Sequence, residues 1–301
     1  MLFTSKKPHY EYLRKKWGGR HREITDKLLE NHGRHFRNIT LGGLGGLMLL
    51  SSPGVNATLH PGDIAATHDG IGKTVDKNSL LAASLKGVVP EEVRKLSDTE
   101  DKEISEILSE TMKIKVEPEL EGIRLNRTYG MIGGEQHLYR FPGDTLYRHA
   151  ENSSDWAMYG SSGIAPGLGA WGYFASSEAA FSEKDKERER YYLAVQTFLS
   201  PGFAENVGKY RDFFKFRKML VVNPKTGQAV VAVIGDAGPA AWTGKHLGGS
   251  PEVMHFVGLA SGPRKGAVLY YFIDDPEDKI PLGPVAGSAS YAENGTERII
   301  S

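Results

Sequence analysis

The residues best suited to chemistry lie between positions 228 and 250. A hydrophobic run, Gln228–Gly235, leads straight into Asp236-Ala237-Gly238-Pro239, so the Asp236 carboxylate falls where a strand ends and the chain turns. The loop that follows carries Trp242, Thr243, Lys245 and His246. An indole suits stacking on a sugar ring, and the hydroxyl, ammonium and imidazole can hydrogen-bond to sugar hydroxyls. Each residue also has a structural reading. An Asp opening a D-x-G-P turn bonds its own backbone, and Trp242 would serve equally to plug the end of a barrel. Further upstream, Gly133–Asp144 is dense in polar and aromatic side chains. That mixture suits sugar binding or an ordered packed loop, and Glu135 and His137 are its additional candidate site residues.

Several chemistries are excluded. The chain has no cysteine, which removes disulfides, thiolate metal sites and thiol nucleophiles. Glu252 and His255 stand three apart on one expected helix, but no second pair accompanies them, so neither a metal nor any other cofactor is expected. Gly167-Leu-Gly169-Ala-Trp-Gly172 matches a dinucleotide pattern but follows no strand, and the pattern has meaning only after one. The formal net charge of zero gives no whole-chain attraction for nucleic acid. Arg264 and Lys265 read as a solvated turn.

These residues need strands and turns to hold them. Tyr191–Phe198, Lys218–Asn223, Gln228–Gly235 and Ala267–Ile273 are rich in β-branched and aromatic residues and read as strands. Asn223-Pro-Lys-Thr-Gly227 joins two of them as a tight hairpin. Their nearly continuous apolar character suits burial on more than one side, as in a closed barrel. One helix is clearly signalled. Ser250 caps it, Pro251 takes its first position, Glu252 favours its positive end, and Val253, Phe256 and Val257 face inward before Gly258.

The first 37 residues carry ten Lys/Arg against four acidic residues, and an uncharged apolar run of about a dozen residues follows at 39–50. That length suits a signal-peptide core better than a bilayer span of about 20 residues. Gly42, Gly43, Gly45 and Gly46 would each cost roughly 1 kcal/mol in a soluble helix. Residues 1–57 therefore read as a basic region plus a signal peptide or membrane anchor at 38–57. Residues 58–122 read as a charged connector, with a solvated helix opened by Pro90-Glu91-Glu92 and carrying Val93, Leu96, Ile104, Ile107 and Leu108. Residues 123–164 read as a Gly/aromatic segment packed on a barrel over 165–285, and 286–301 as a flexible tail.

The strand, N-x-x-x-G turn, valine-rich strand, Asp236-Ala237-Gly238-Pro239 and Ser250 helix, in that order, resemble the double-psi β-barrel of the rare-lipoprotein-A and expansin-like family. Ala194–Gly202 is similar to the segment before the family's hairpin, and Gly169–Tyr173 to its opening strand. The likeness covers about 165 to 275. It implies a mainly β fold, a small closed double-psi barrel with short helices, in an exported bacterial envelope protein whose partner is cell-wall glycan such as peptidoglycan. It makes Asp236 the catalytic candidate of a lytic transglycosylase, with Trp242, Thr243 and His246 binding substrate. In such chemistry one carboxyl, held near neutral by a partly apolar cleft, protonates the leaving glycosidic oxygen and then takes a proton from the sugar hydroxyl that closes the ring. The family's second acid, at the start of the helix, falls on Gly248. Glycan binding without cleavage is therefore the leading expectation, with a non-catalytic envelope scaffold and an active transglycosylase as the alternatives.

Overall fold

The computed structural model describes residues 76–285. The expected signal or anchor segment, residues 58–75 of the connector and the whole expected tail fall outside that range. No helix among the described residues is long and apolar enough to cross a membrane.

Six strands close into a barrel. They are β4 (Tyr129–Gly134), β5 (Tyr192–Val195), β6 (Lys218–Val222), β7 (Ala229–Ala237), β8 (Leu247–Gly249) and β9 (Lys265–Ile273). Hydrogen bonding runs β9-β4-β8-β5-β7-β6 and back to β9. The β4–β8 and β5–β7 pairs are parallel and the remaining pairs antiparallel. Short strands flank the ring. β1 (Val116–Glu117) pairs with β9, β2 (Glu119–Leu120) with β3 (Ile123–Arg124), and β10 (Gly283–Pro284) with β7.

The expected hairpin is β6–β7. Asn223 Oδ1 accepts from Lys225 N–H at 3.1 Å, and Gly227 N–H donates to Asn223 O at 2.8 Å with φ of +72°. A side chain at Gly227 would strike the backbone carbonyl of Asn78, so glycine is required there both for conformation and for close packing. The expected helix is α6 (Pro251–Phe256). Ser250 Oγ accepts from Val253 N–H at 3.1 Å and donates to Arg190 O at 2.6 Å, tying the cap to the preceding layer.

The strands are apolar throughout because both barrel faces are covered. Inside, Ile132, Leu193, Val221, Ile234, Leu247 and Phe272 meet, closed off by Val253 and Met254 of α6 and by Phe213 and Phe214 of α5 (Val207–Phe214). Outside, Leu220, Val222, Val231, Leu269 and Tyr271 are covered by α1 (Lys77–Leu85) and α2 (Asp98–Met112), through Leu81, Leu85, Ile104 and Leu108. Residues 76–122 are thus a packed layer of the fold rather than a solvated spacer. The helix expected at Pro90 begins instead at Asp98, where Ser97 and Glu100 form a reciprocal capping box that satisfies its first amides.

The barrel also begins earlier than its sequence suggests. β4 lies within 123–164, the segment expected only to decorate it, whereas residues 165–191 contribute short helices and loops, among them α4 (Glu183–Arg190), and no strand. Gly169–Tyr173, expected as an opening strand, forms a turn with Gly172 N–H donating to Gly169 O at 3.0 Å.

Candidate functional site

Strand register builds the site. Lys265, Gly133, Gly248, Ala194 and Asp236 are successive cross-strand partners on β9, β4, β8, β5 and β7. Ile132, Leu247 and Leu193, the chain neighbours of Gly133, Gly248 and Ala194, fill the barrel interior, so this part of the row faces outward. A register shift between Leu193 and Ala194 skips Gly235 and sets Asp236 beside Ala194. Such a bulge re-aims a side chain that regular alternation would turn the other way.

Asp236 is half-buried. Its Oδ1 accepts from Ala237 N–H at 2.8 Å and from Ala170 N–H at 2.6 Å. The first is the local turn bond that a D-x-G-P sequence allows. The second comes from the glycine loop at 167–172, whose Gly169 lies against the carboxyl. Burial pushes the Asp236 carboxyl above the usual aspartate value, against the two amides, which favour its charged form.

The middle of the row is roofed by the protein's own side chains. A Cβ on Gly248 would collide with the Glu135 carboxylate, and one on Gly133 with the Lys245 stem. Lys245 Nζ and Glu135 Oε1 pair at 2.5 Å, each with about a quarter or less of its side chain exposed. Glu135 therefore fills the space that an acid at position 248 would occupy. Leu138, with Ala165 and Phe174, packs with Ala194. Asp236 and Gly248 are two strands apart, ~9–10 Å at the backbone, so the two carboxyl groups flank a narrow strip of small residues.

The other expected site residues are placed unevenly. Trp242 is 88% exposed on a single 3-10 turn, so it does not plug the barrel. Leu168, half exposed, rides on the loop whose neighbouring residues touch Asp236. Thr243 spends its hydroxyl on its own turn, donating to Ala240 O at 2.7 Å and accepting from Lys245 N–H at 3.2 Å. His246 Nδ1 accepts from Met131 N–H at 2.9 Å. Burial, with Arg127 and Lys265 nearby, lowers its pKa. His246 is thus a neutral imidazole tied to β4. His137 is 1% exposed and is not part of this surface, because its ring turns inward to Glu189 at 3.4 Å.

Sequence reasoning overlooked two features. Arg264 is not a solvated turn residue. It covers Gly134 and donates to Ser162 Oγ at 3.1 Å. A buried polar network lies behind the row. Arg140 grips Asp144 through two bonds of 2.8 and 2.9 Å, and Asp144 accepts from His149 Nε2 at 3.0 Å. His149 Nδ1 faces Glu189 Oε2 at 3.1 Å. Glu189 also accepts from Leu138 N–H at 3.0 Å, fixing the chain just beyond Glu135. A cavity of about 390 Å³ lined by Arg188, Phe216, Lys218 and Asp275 contains no residue of the row. Its Lys218 is committed to Asp275 and Asp278.

Comparison with family models, with curated proteins and with solved structures gives no match.

Proposed function

We propose that this is an exported bacterial envelope protein, secreted or held by residues 38–57, whose barrel is of double-psi type and binds cell-wall polysaccharide such as peptidoglycan around Asp236. The six-stranded closure with two parallel pairs supports the double-psi reading. The observation that carries the function is the placement of Glu135. Its carboxylate stands over Gly248, where the resembled family has its second acid, so a pair of carboxyl groups is kept in one outward row although the helix start has lost its own. Exposed Trp242 and Leu168 sit on the two loops adjoining Asp236 and supply apolar surface for sugar rings.

Cleavage is the second reading, favoured by the half-buried Asp236 carboxyl. A carboxyl raised by burial is suited to protonate a glycosidic oxygen, then to accept the proton of the hydroxyl that closes the anhydro ring. The roof of Glu135, Lys245 and Leu138 favours binding over cleavage, because a scissile bond would have to displace it to lie between the carboxyls. The two readings separate when purified full-length protein is incubated with insoluble peptidoglycan. Co-sedimentation without soluble anhydro-muropeptides is the expected result. Release of anhydro-muropeptides that stops in Asp236→Asn would make the protein a transglycosylase. Failure to co-sediment would leave an envelope scaffold without glycan affinity.

A further inference from the structure

We propose that His137, His149 and Glu189 form a divalent transition-metal site, of the borderline type that takes Zn²⁺, which pins the long loop after β4 onto α4. The three side chains converge from separate elements. His137 and His149 lie on the 135–182 excursion and Glu189 on the last turn of α4. One ligand atom from each lies within 4.8 Å of the others. His137 Nδ1 is 3.4 Å from Glu189 Oε1 and His149 Nδ1 is 3.1 Å from Glu189 Oε2. Nitrogen and oxygen ligands at ~2.0–2.2 Å in a tetrahedron stand about 3.3–3.5 Å apart; the His137–Glu189 separation matches, and His149 approaches the other Glu189 oxygen slightly more closely.

A second observation points to a missing ligand. His137 is 1% exposed, yet its Nδ1 has no hydrogen-bond partner, because its approach to Glu189 lacks hydrogen-bond geometry. A buried polar nitrogen left so is costly, and a metal ion at the convergence point would satisfy it. The surroundings are those of a supported metal ligand. His149 points Nδ1 into the cluster and Nε2 at Asp144, and Asp144 is locked by Arg140. Carboxylates behind ligating histidines set the tautomer and the ring orientation. Glu189 is oriented by Leu138 N–H. His149 would bind the cation through Nδ1, so any proton held there passes to solvent as the ion enters. The site is enclosed by Leu146, Ala150, Trp156 and Tyr159, which suits a structural rather than a catalytic ion.

The test uses the full chain, stripped with a chelator and dialysed against metal-free buffer. Co²⁺ is the spectroscopic probe and Zn²⁺ the competitor. The proposal expects one Co²⁺ per chain with the visible absorption of a tetrahedral site, its displacement by Zn²⁺, and a higher melting temperature with Zn²⁺ than without. Folded His137→Gln should lose at least tenfold in Co²⁺ affinity. Asp144→Asn, which keeps all three ligands, should lose about 10- to 100-fold. If either variant fails to fold, the wild-type spectrum and stoichiometry decide. Absence of a tetrahedral Co²⁺ spectrum in the wild type overturns the proposal. So does uptake undiminished in folded His137→Gln, which would assign the ion to other histidines.

Discussion

Gly248→Ala tests the arrangement on which the functional reading rests. A methyl at position 248 would occupy the space held by the Glu135 Cγ, Cδ and Oε1 atoms. Gly248 does not lie at positive φ, so alanine meets no backbone obstacle, and any cost comes from the collision. Overpacking of this kind costs about 1–3 kcal/mol. Relief requires Glu135 to swing away from Lys245, giving up an ion pair whose side chains are 27% and 19% exposed, worth about 0–1 kcal/mol. Glu135→Ala alone removes only that pair. In the double variant the methyl has nothing to strike, so its stability should match Glu135→Ala. The expected coupling therefore equals the Gly248→Ala loss, about 1–3 kcal/mol, the double variant being more stable than the two single losses summed. Urea denaturation of the wild type and three variants, followed by tryptophan fluorescence, measures it. Losses that add within about 0.5 kcal/mol would show that Glu135 does not stand over Gly248, and the paired-carboxyl argument would fall.

Trp242→Ala should change stability by no more than about 0.5 kcal/mol, because the indole is 88% exposed; a loss of about 3–5 kcal/mol in the same urea titration would mean that it fills a cavity. Leu108→Ala should cost about 2–5 kcal/mol, because Leu108 is fully buried between α2 and the outer barrel face; a loss under 1 kcal/mol would make that layer a loosely attached spacer. Glu252 is buried and its carboxyl is pushed up to about 8, first by burial and then by Glu189, with Arg190 and His149 partly opposing; Tyr159 of α3 (Ser153–Tyr159) also faces it. A folded value above the ordinary one means that its contribution is complete below about pH 4.5 and is lost as pH rises through about 8. Glu252→Gln should therefore lose less melting temperature than the wild type between pH 6 and pH 9, and parallel pH profiles would count against a buried neutral Glu252.

The features legible in the sequence are those with local signals. The Asn223–Gly227 turn and the Ser250-Pro251 start carry their own backbone chemistry, and both form as expected. The spacing of Ile104, Ile107 and Leu108 fits one face of a helix, but the charge around it reads as a solvated spacer, and nothing local said that a barrel wall would cover that face. β4 escaped notice because Gly130, Gly133 and Gly134 make up half its length. Those glycines are required by side chains arriving from far away in the chain, namely His246, Lys245 and Arg264. Glu189 was hidden for a similar reason. It sits in EKDKERER, which reads as a solvated helix, and its partners His137, His149 and Leu138 come from far away in the chain. Asp236 was visible as a turn residue at a strand end, whereas the bulge that aims it outward depends on pairing with β5.

The surface around Asp236 is proposed to hold wall polysaccharide. The most direct test is the quantitative co-sedimentation of purified protein with insoluble peptidoglycan, comparing the wild type with Asp236→Asn/Trp242→Ala at matched folded concentration. Saturable wild-type binding is expected, weakening about tenfold in the double variant, equivalent to ~1.4 kcal/mol. Wild-type protein that stays in the supernatant, or a folded double variant that binds as tightly as the wild type, would contradict it.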